Sequence, residues 1–436
     1  MVPSSRREFL KGSAVALGGA CLGGFQLLAD THKGKVKITD IKVMMLQGPR
    51  TYTLVKVITD TGLYGIGEGY GSPGVGVKEG ILQLRPYFIG KDPLDVEALY
   101  TGLGQRVDGS AHMLLRAVAG VEMALWDLAG KILNVPAATL LGGQVRNTVR
   151  VYHDEGPRDM LDKASCVEWA ARMKESPQGW TGFKFGPPRA GGGRGGAGTR
   201  GRGAGGRGGE AGAEGGAERT GIAQRQLSRK ELIDIRKGFE NCRDAIGWDR
   251  DIMFHGQWAY DLNSAIQLCE ALEPVKPLWV EDPMPPEFSD EWVHLTAVSK
   301  VPILTGENLG RRQTWRDFFL KKGLHIGQLD IRNTGGLVES KKISDLAELC
   351  LVPMCAHDSA AAVTNIATLH WASTVRNFIA AETMIGAGGW MDDVIVHDGP
   401  LVKNSQMTVP TKPGLGIELN PDVVKAHLAK DETYWG

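Results

Sequence analysis

Seven ionisable residues stand at or beside the ends of short apolar runs: Lys184, His255, Glu281, Glu307, Asp330, His357 and Glu382. Taken singly, each reads as an ordinary charge at the end of a strand. Their spacing says more. His255, Glu281 and Glu307 stand 26 residues apart in each step. That interval is one strand–helix unit, so the three would sit on adjacent strands within reach of one ion. A carboxylate-rich set suits a hard divalent cation such as Mg2+, which keeps positions open for substrate oxygens. Asp330 and His357 form a second group on neighbouring strands. An aspartate accepting a hydrogen bond from one imidazole nitrogen fixes the tautomer and raises basicity at the other. The plainer reading of His357 is a satisfied buried histidine. A partner aspartate and a ligand set facing the same mouth favour proton transfer instead.

The elements that would position these residues follow from the pattern. Val36–Val43, Tyr52–Thr59 and Leu63–Glu68 alternate as three strands of an antiparallel meander, with Asp60-Thr61-Gly62 as a turn. Helical patterns run from about Lys78 to Leu140, and the segment from Leu114 to Gly130 is apolar on most of its surface, as a buried helix is. From Val149 onward, eight short apolar runs, beginning with Val149–Tyr152 and Gly182–Phe185 and ending with Ile379–Glu382, are separated by segments such as Arg229–Cys242 and Leu337–Leu349. Repeated strand–helix units imply a parallel sheet, and eight imply closure into a barrel, whose strand ends form the active face. The expected fold is α/β: a (β/α)8 TIM barrel over 149–400, an N-terminal α+β capping domain over 35–145, and a C-terminal segment, 401–436, packing on the cap. The loop Glu68–Gly74 should close over a substrate.

Composition sets the class. With 42% hydrophobic and 23% charged residues the chain is globular, and 50 basic against 50 acidic residues call for neither nucleic acid nor an anionic membrane as partner. Residues 1–30 read as a twin-arginine signal: Ser5-Arg6-Arg7-Glu8-Phe9-Leu10-Lys11 precedes a Gly/Ala-rich apolar run too short for a stable membrane span. The expected partner is therefore the twin-arginine export machinery, and the expected compartment the periplasm, with lipoprotein anchoring through Cys21 disfavoured. No Cys/His zinc spacing occurs. Residues 191–220 hold 15 glycines and five arginines without a large apolar residue, so the insert at 189–221 should be a disordered loop.

Several motifs together resemble the enolase superfamily, in its mandelate racemase/muconate-lactonizing branch. They are Ala124-Leu125-Trp126-Asp127-Leu128-Ala129-Gly130-Lys131 with Leu140-Leu141-Gly142-Gly143, Trp279-Val280-Glu281-Asp282-Pro283, Gly306-Glu307-Asn308-Leu309, Gln328-Leu329-Asp330 with Gly335-Gly336, and Ala356-His357-Asp358-Ser359. The resemblance covers nearly everything after the signal. It implies Mg2+-assisted removal of the proton α to a carboxylate, giving a metal-stabilised enediolate. Carried over by position, Glu281 and Glu307 match metal ligands, Asp330 and His357 the base dyad, Glu382 the carboxyl near the substrate carboxylate, and Lys184 the first lysine of the second-strand motif. Gly186 stands where racemases carry a second lysine, which points to the acid-sugar dehydratases, such as the galactonate and mannonate types.

The pattern departs from the family in two places. His255 occupies the position of a ligand aspartate, and Gln257 the position of a histidine that protonates the departing hydroxyl. The other alignment, with Met253 as ligand and His255 as acid, fits the 26-residue spacing less well. A neutral imidazole softens the site, so Mn2+, Fe2+ or Zn2+ competes with Mg2+. The expected function is metal-dependent dehydration of a sugar acid or related hydroxy-carboxylate, in a homo-oligomer by family analogy. A one-base epimerase or lactonizing enzyme, and a degenerate carboxylate-binding protein, are the alternatives.

Overall fold

The computed structural model describes residues 32–70, 76–104, 112–188, 225–386 and 388–435. The export segment with Cys21, the tip of the cap loop at 71–74 and the Gly/Arg insert at 189–221 lie outside them. The alternating N-terminal runs form β1 (Ile38–Gln47), β2 (Thr51–Thr59) and β3 (Tyr64–Gly69), an antiparallel sheet in the order β1-β2-β3. Four helices follow: α1 (Val77–Phe88), α2 (Val96–Gly104), α3 (His112–Leu133) and α4 (Ala137–Leu140). The long helix α3 lies directly on β3. A Cβ at Gly65 or Gly67 would overlap the carbonyl oxygens of Ala124 or Gly120, so only glycine permits this backbone-to-backbone approach.

The barrel is closed. Its strands are β4 (Thr148–His153), β5 (Gly182–Phe185), β6 (Asp251–His255), β7 (Val280–Glu281), β8 (Ile303–Thr305), β9 (Ile326–Leu329), β10 (Met354–Ala356) and β11 (Phe378–Thr383), all parallel, and β11 pairs back onto β4. The intervening helices are α5 (Lys163–Lys174), α6 (Arg229–Ile246), α7 (Leu262–Leu272), α8 (Asp290–Val298), α9 (Arg312–Leu320), α10 (Ile331–Thr334), α11 (Leu337–Leu349) and α12 (Ala362–Ser373). The pleat sorts each strand into two faces. Val151, Phe183, Ile252, Phe254, Val280 and Ile303 belong to the large core shared with the helices, while Tyr152, Met253, Trp279, Leu304, Ile326, Cys355 and Ala380 pack together along the barrel axis.

The C-terminal segment does more than pack on the cap. Its strand β12 (Gln406–Thr408) pairs antiparallel with β4, Thr408 facing Thr148. Residues 148–150 precede the point where β4 meets β11, so their edge is open to another strand. Beyond it the chain, including α13 (Pro421–Ala426), turns to the cap: Leu415 N–H donates to Asp127 and Ala429 N–H to the Met45 carbonyl. Two buried cap carboxylates complete the seam by capping barrel helices. Glu68 accepts from Ala361 and Thr364 at the start of α12, and Glu122 from Leu337 and Val338 at the start of α11. Among the described residues, no helix is long and apolar enough to cross a membrane.

Candidate active site

Two residues beyond the apolar axial layer, the pleat returns the side chain to the axis at the carboxyl ends of the strands. Met253 leads to His255, Trp279 to Glu281, Cys355 to His357 and Ala380 to Glu382. This is why polar chemistry sits directly on an apolar floor, and why Met253 itself lies in the floor. Lys184, flanked by Phe183 and Phe185, also points to the axis and is 1% exposed.

His255, Glu281, Asp282 and Glu307 each present one ligand atom, and these atoms lie within 4.8 Å of one another. His255 Nε2 is 4.0 Å from Glu281 Oε1 and 3.9 Å from Asp282 Oδ2. His255 Nε2, Asp282 Oδ2 and Glu307 Oε2 are all buried without a hydrogen-bond partner. Orphaned lone pairs converging from three side chains beside the Glu281 carboxylate fit a divalent cation, since buried polar atoms otherwise find partners. The surroundings hold the set in place. Trp279 Nε1 donates to Glu281 Oε2 (3.1 Å) and Thr305 Oγ1 to Asp282 Oδ1 (2.6 Å). Asp282 has a φ of 46°, a left-handed conformation rare outside glycine, that its packed neighbours maintain.

The electrostatics agree with a cation site. Burial holds His255 neutral, down at about 3, despite the nearby Glu281 carboxylate. Burial also drives Glu307 up to about 7 and Asp282 well above the usual carboxylate range, the latter helped by Glu307 and Glu281. Carboxylates crowded away from water repel one another, and a divalent cation among them would relieve that cost. Glu281 differs: burial pushes it up, but Lys184, His255 and His357 together outweigh burial and bring it down to about 2. Lys184 Nζ lies 2.8 Å from Glu281 and 3.0 Å from Glu382. It is a buried counter-charge beneath two carboxylates.

Across the mouth, His357 Nδ1 and Asp330 Oδ2 are 2.8 Å apart. The other ring nitrogen, Nε2, faces inward, 3.4 Å from Glu307 and 3.8 Å from Glu382. Asp330 lies at the N-terminus of α10, where Arg332 also grips it. Burial raises the Asp330 carboxyl, but Arg332 and His357 outweigh burial and keep it ionised.

Gln257 is the sequence-derived candidate that stands apart. It is exposed, in a left-handed turn with a φ of 55°, and makes no hydrogen bond to the cluster. Three residues that the sequence reading left aside belong here: Asp282, Arg332 and Asp154. Asp154 follows Tyr152 by two on β4, so the strand-end rule reaches it, and burial, against the pull of Lys184, pushes it up to about 6.

Two family models match the chain: the mandelate racemase / muconate lactonizing enzyme N-terminal domain over residues 38–142, and the enolase C-terminal domain-like family over 208–423. The chain is 32% identical over 400 residues to D-xylonate dehydratase of Haloferax volcanii, covering 91% of this chain and 90% of the relative. It is 29% identical over 402 residues to D-galactonate dehydratase of Pectobacterium atrosepticum, covering 89% and 94%. The crystal structure of a mandelate racemase/muconate lactonizing enzyme-like protein from Rubrobacter xylanophilus superposes with a TM-score of 0.79 at 26% identity, over 92% of this chain and 99% of that one.

Proposed function

This chain belongs to the mandelate racemase / muconate lactonizing enzyme family, and from that premise we propose a residue-level account of its chemistry. The protein is a hydro-lyase that dehydrates a sugar acid in a metal-dependent reaction. The observation that carries the account is the Asp330–His357 pair aimed at the His255/Glu281/Asp282/Glu307 cluster. Those four residues would hold the ion, which supplies positive charge where the substrate carboxylate gains negative charge as its α-proton leaves. Mg2+ is the family expectation, and the imidazole of His255 favours Mn2+ as an effective substitute.

His357 Nε2 takes the α-proton, and Asp330 holds the ring and stabilises its protonated form. Glu382, 3.8 Å from that nitrogen and anchored by Lys184, borders the substrate carboxylate. Gln257 has no proton to give. His357 therefore also returns its proton to the leaving β-hydroxyl on the same face, and water departs. The substrate is an aldonic acid of the D-xylonate or D-galactonate kind, by similarity to those dehydratases.

The test is an aldonate panel assayed with Mg2+ and Mn2+ in parallel, on wild type and His357→Asn. Dehydration by the wild type, lost at least a hundredfold in the variant, is expected. An equally active variant sinks the single-base account. Exchange of the α-hydrogen for solvent deuterium without loss of water would point to a one-base epimerase or lactonizing enzyme, and binding without exchange or turnover to the degenerate binding protein that Gln257 and His255 favour.

Export through the twin-arginine route belongs to the same proposal. It is supported by Ser5-Arg6-Arg7-Glu8-Phe9-Leu10-Lys11. Fractionation of cells expressing the wild type and an Arg6→Lys, Arg7→Lys double variant tests it: the periplasmic pool should vanish in the variant. Homo-oligomerisation, read from family analogy, is tested by light scattering.

A further inference from the structure

Asp330 is saturated. Its Oδ1 accepts from Arg332 N (2.8 Å) and Arg332 Nε (2.9 Å), and its Oδ2 from Arg332 Nη2 (2.6 Å) and His357 Nδ1 (2.8 Å). Four donors fill the four lone-pair directions of the carboxylate, so its plane and position are fixed. Arg332 supplies three of the four and is 1% exposed, its guanidinium committed to the carboxylate. Its far side is occupied by the cap. The guanidinium carbon lies 4.5 Å from the centre of the Tyr70 ring, and Arg116 of α3 stacks on the same ring at 4.2 Å.

Tyr70 follows β3 by one residue and shares a face with Glu68, which caps α12. The Arg116 branch reaches the ion cluster as well: Arg116 Nε donates to Asn333 Oδ1 (2.8 Å), and Asn333 Nδ2 to the Glu307 carbonyl (2.7 Å). One cap aromatic thus touches two chains of contacts, one ending at His357 and the other at Glu307.

We propose that Arg332 is a positioning residue that fixes Asp330, and through it the imidazole of His357, against the cap residue Tyr70, so that the base is aligned only while the cap is seated. The inference rests on His357 acting as base in the reaction proposed above. A drift of the ring is enough to matter, since misplacing a reacting group by about 1 Å costs on the order of a hundredfold in rate. Lysine in place of Arg332 keeps the charge but loses the two-pronged grip on the carboxylate.

The experiment compares wild type, Arg332→Gln, Arg332→Lys and Tyr70→Leu, with D-xylonate and D-galactonate as probes. Active sites are counted by Mn2+ binding in a calorimeter, and kcat is expressed per bound ion. Arg332→Gln should bind Mn2+ with the wild-type Kd, keep KM within about twofold, and lose about 10- to 100-fold in kcat per site. Arg332→Lys should recover part of that loss. Tyr70→Leu should repeat the pattern with a smaller loss, and the isotope effect from α-deuterated substrate should not shrink in any variant. A structural role alone would lower the number of Mn2+ sites and leave kcat per site unchanged, which overturns the proposal. So does wild-type kcat in Arg332→Gln. If Arg332→Gln does not fold, Arg332→Lys and Tyr70→Leu decide by the same per-site measure. A wild type that turns over no sugar acid, or an active His357→Asn, instead removes the functional reading beneath it.

Discussion

At the scale of single residues, the candidate ion site combines the neutral imidazole of His255 with three carboxylates. Asp282 adds the third of these: its unpartnered Oδ2 faces His255 Nε2 at 3.9 Å. Asp282→Asn should therefore weaken Mn2+ binding by about tenfold or more in a calorimetric titration, while His255→Asp should shift preference toward Mg2+. Unchanged Mn2+ affinity in Asp282→Asn would mean that the residue only braces Thr305. The seven strand-end candidates were legible because β-α units of regular length place strand ends at regular intervals, and an ionisable residue after an apolar run is conspicuous. Asp282 was hidden because it follows Glu281 directly, and alternation assigns adjacent residues to opposite faces; its left-handed backbone breaks that rule. Arg332 was hidden for a related reason. Only the short turn of α10 folds it back onto Asp330, and no strand periodicity encodes such a turn.

At the scale of elements, the contact of β3 with α3 decides how the cap meets the barrel. Gly67→Ala would drive a methyl group into the Gly120 carbonyl. It should cost about 1–3 kcal/mol in urea unfolding. It should also reduce turnover, because Glu68 and Tyr70 ride on the same strand. Full activity with full stability would show that α3 yields without moving either. The strands and the long helix of the cap were readable from periodicity. The pairing of β12 with β4 was not, because three residues carry no distinctive pattern and the pairing depends on an edge created only when the barrel closes. Glu122 adds a pH term to the same seam. Burial lifts its carboxyl from 4.5 to about 7 in the folded protein, against the pull of the α11 amides. Between those values the folded state holds the proton more tightly than the unfolded chain. The group's stabilisation is thus complete below about pH 4.5 and is lost as pH rises through 7. Relative to Glu122→Gln, wild type should lose on the order of 3 kcal/mol between pH 4.5 and 8, read from denaturation midpoints. Parallel curves for the two proteins would rule out titration of Glu122.

At the scale of the whole molecule, the four candidate ligands come from the ends of β6, β7 and β8, so a bound metal should act as a staple for the barrel. Stripping the ion with a chelator should lower the melting temperature. Adding Mn2+ at a hundred times its Kd should restore about 2.7 kcal/mol of stability. An unchanged melting curve would mean that these strands hold their geometry without it. The cap has a different kind of closure. Met45 in β1 is held by the Glu432 carboxylate, 387 residues further along the chain, and the Ala429 amide seals the same strand. A nascent chain emerging from the ribosome exposes this strand early and meets its partner only near the end of synthesis. Pairings of such long range form slowly. The cap must wait, unfinished, through the making of the entire barrel, and that interval is when the protein is most exposed to chaperones and proteases.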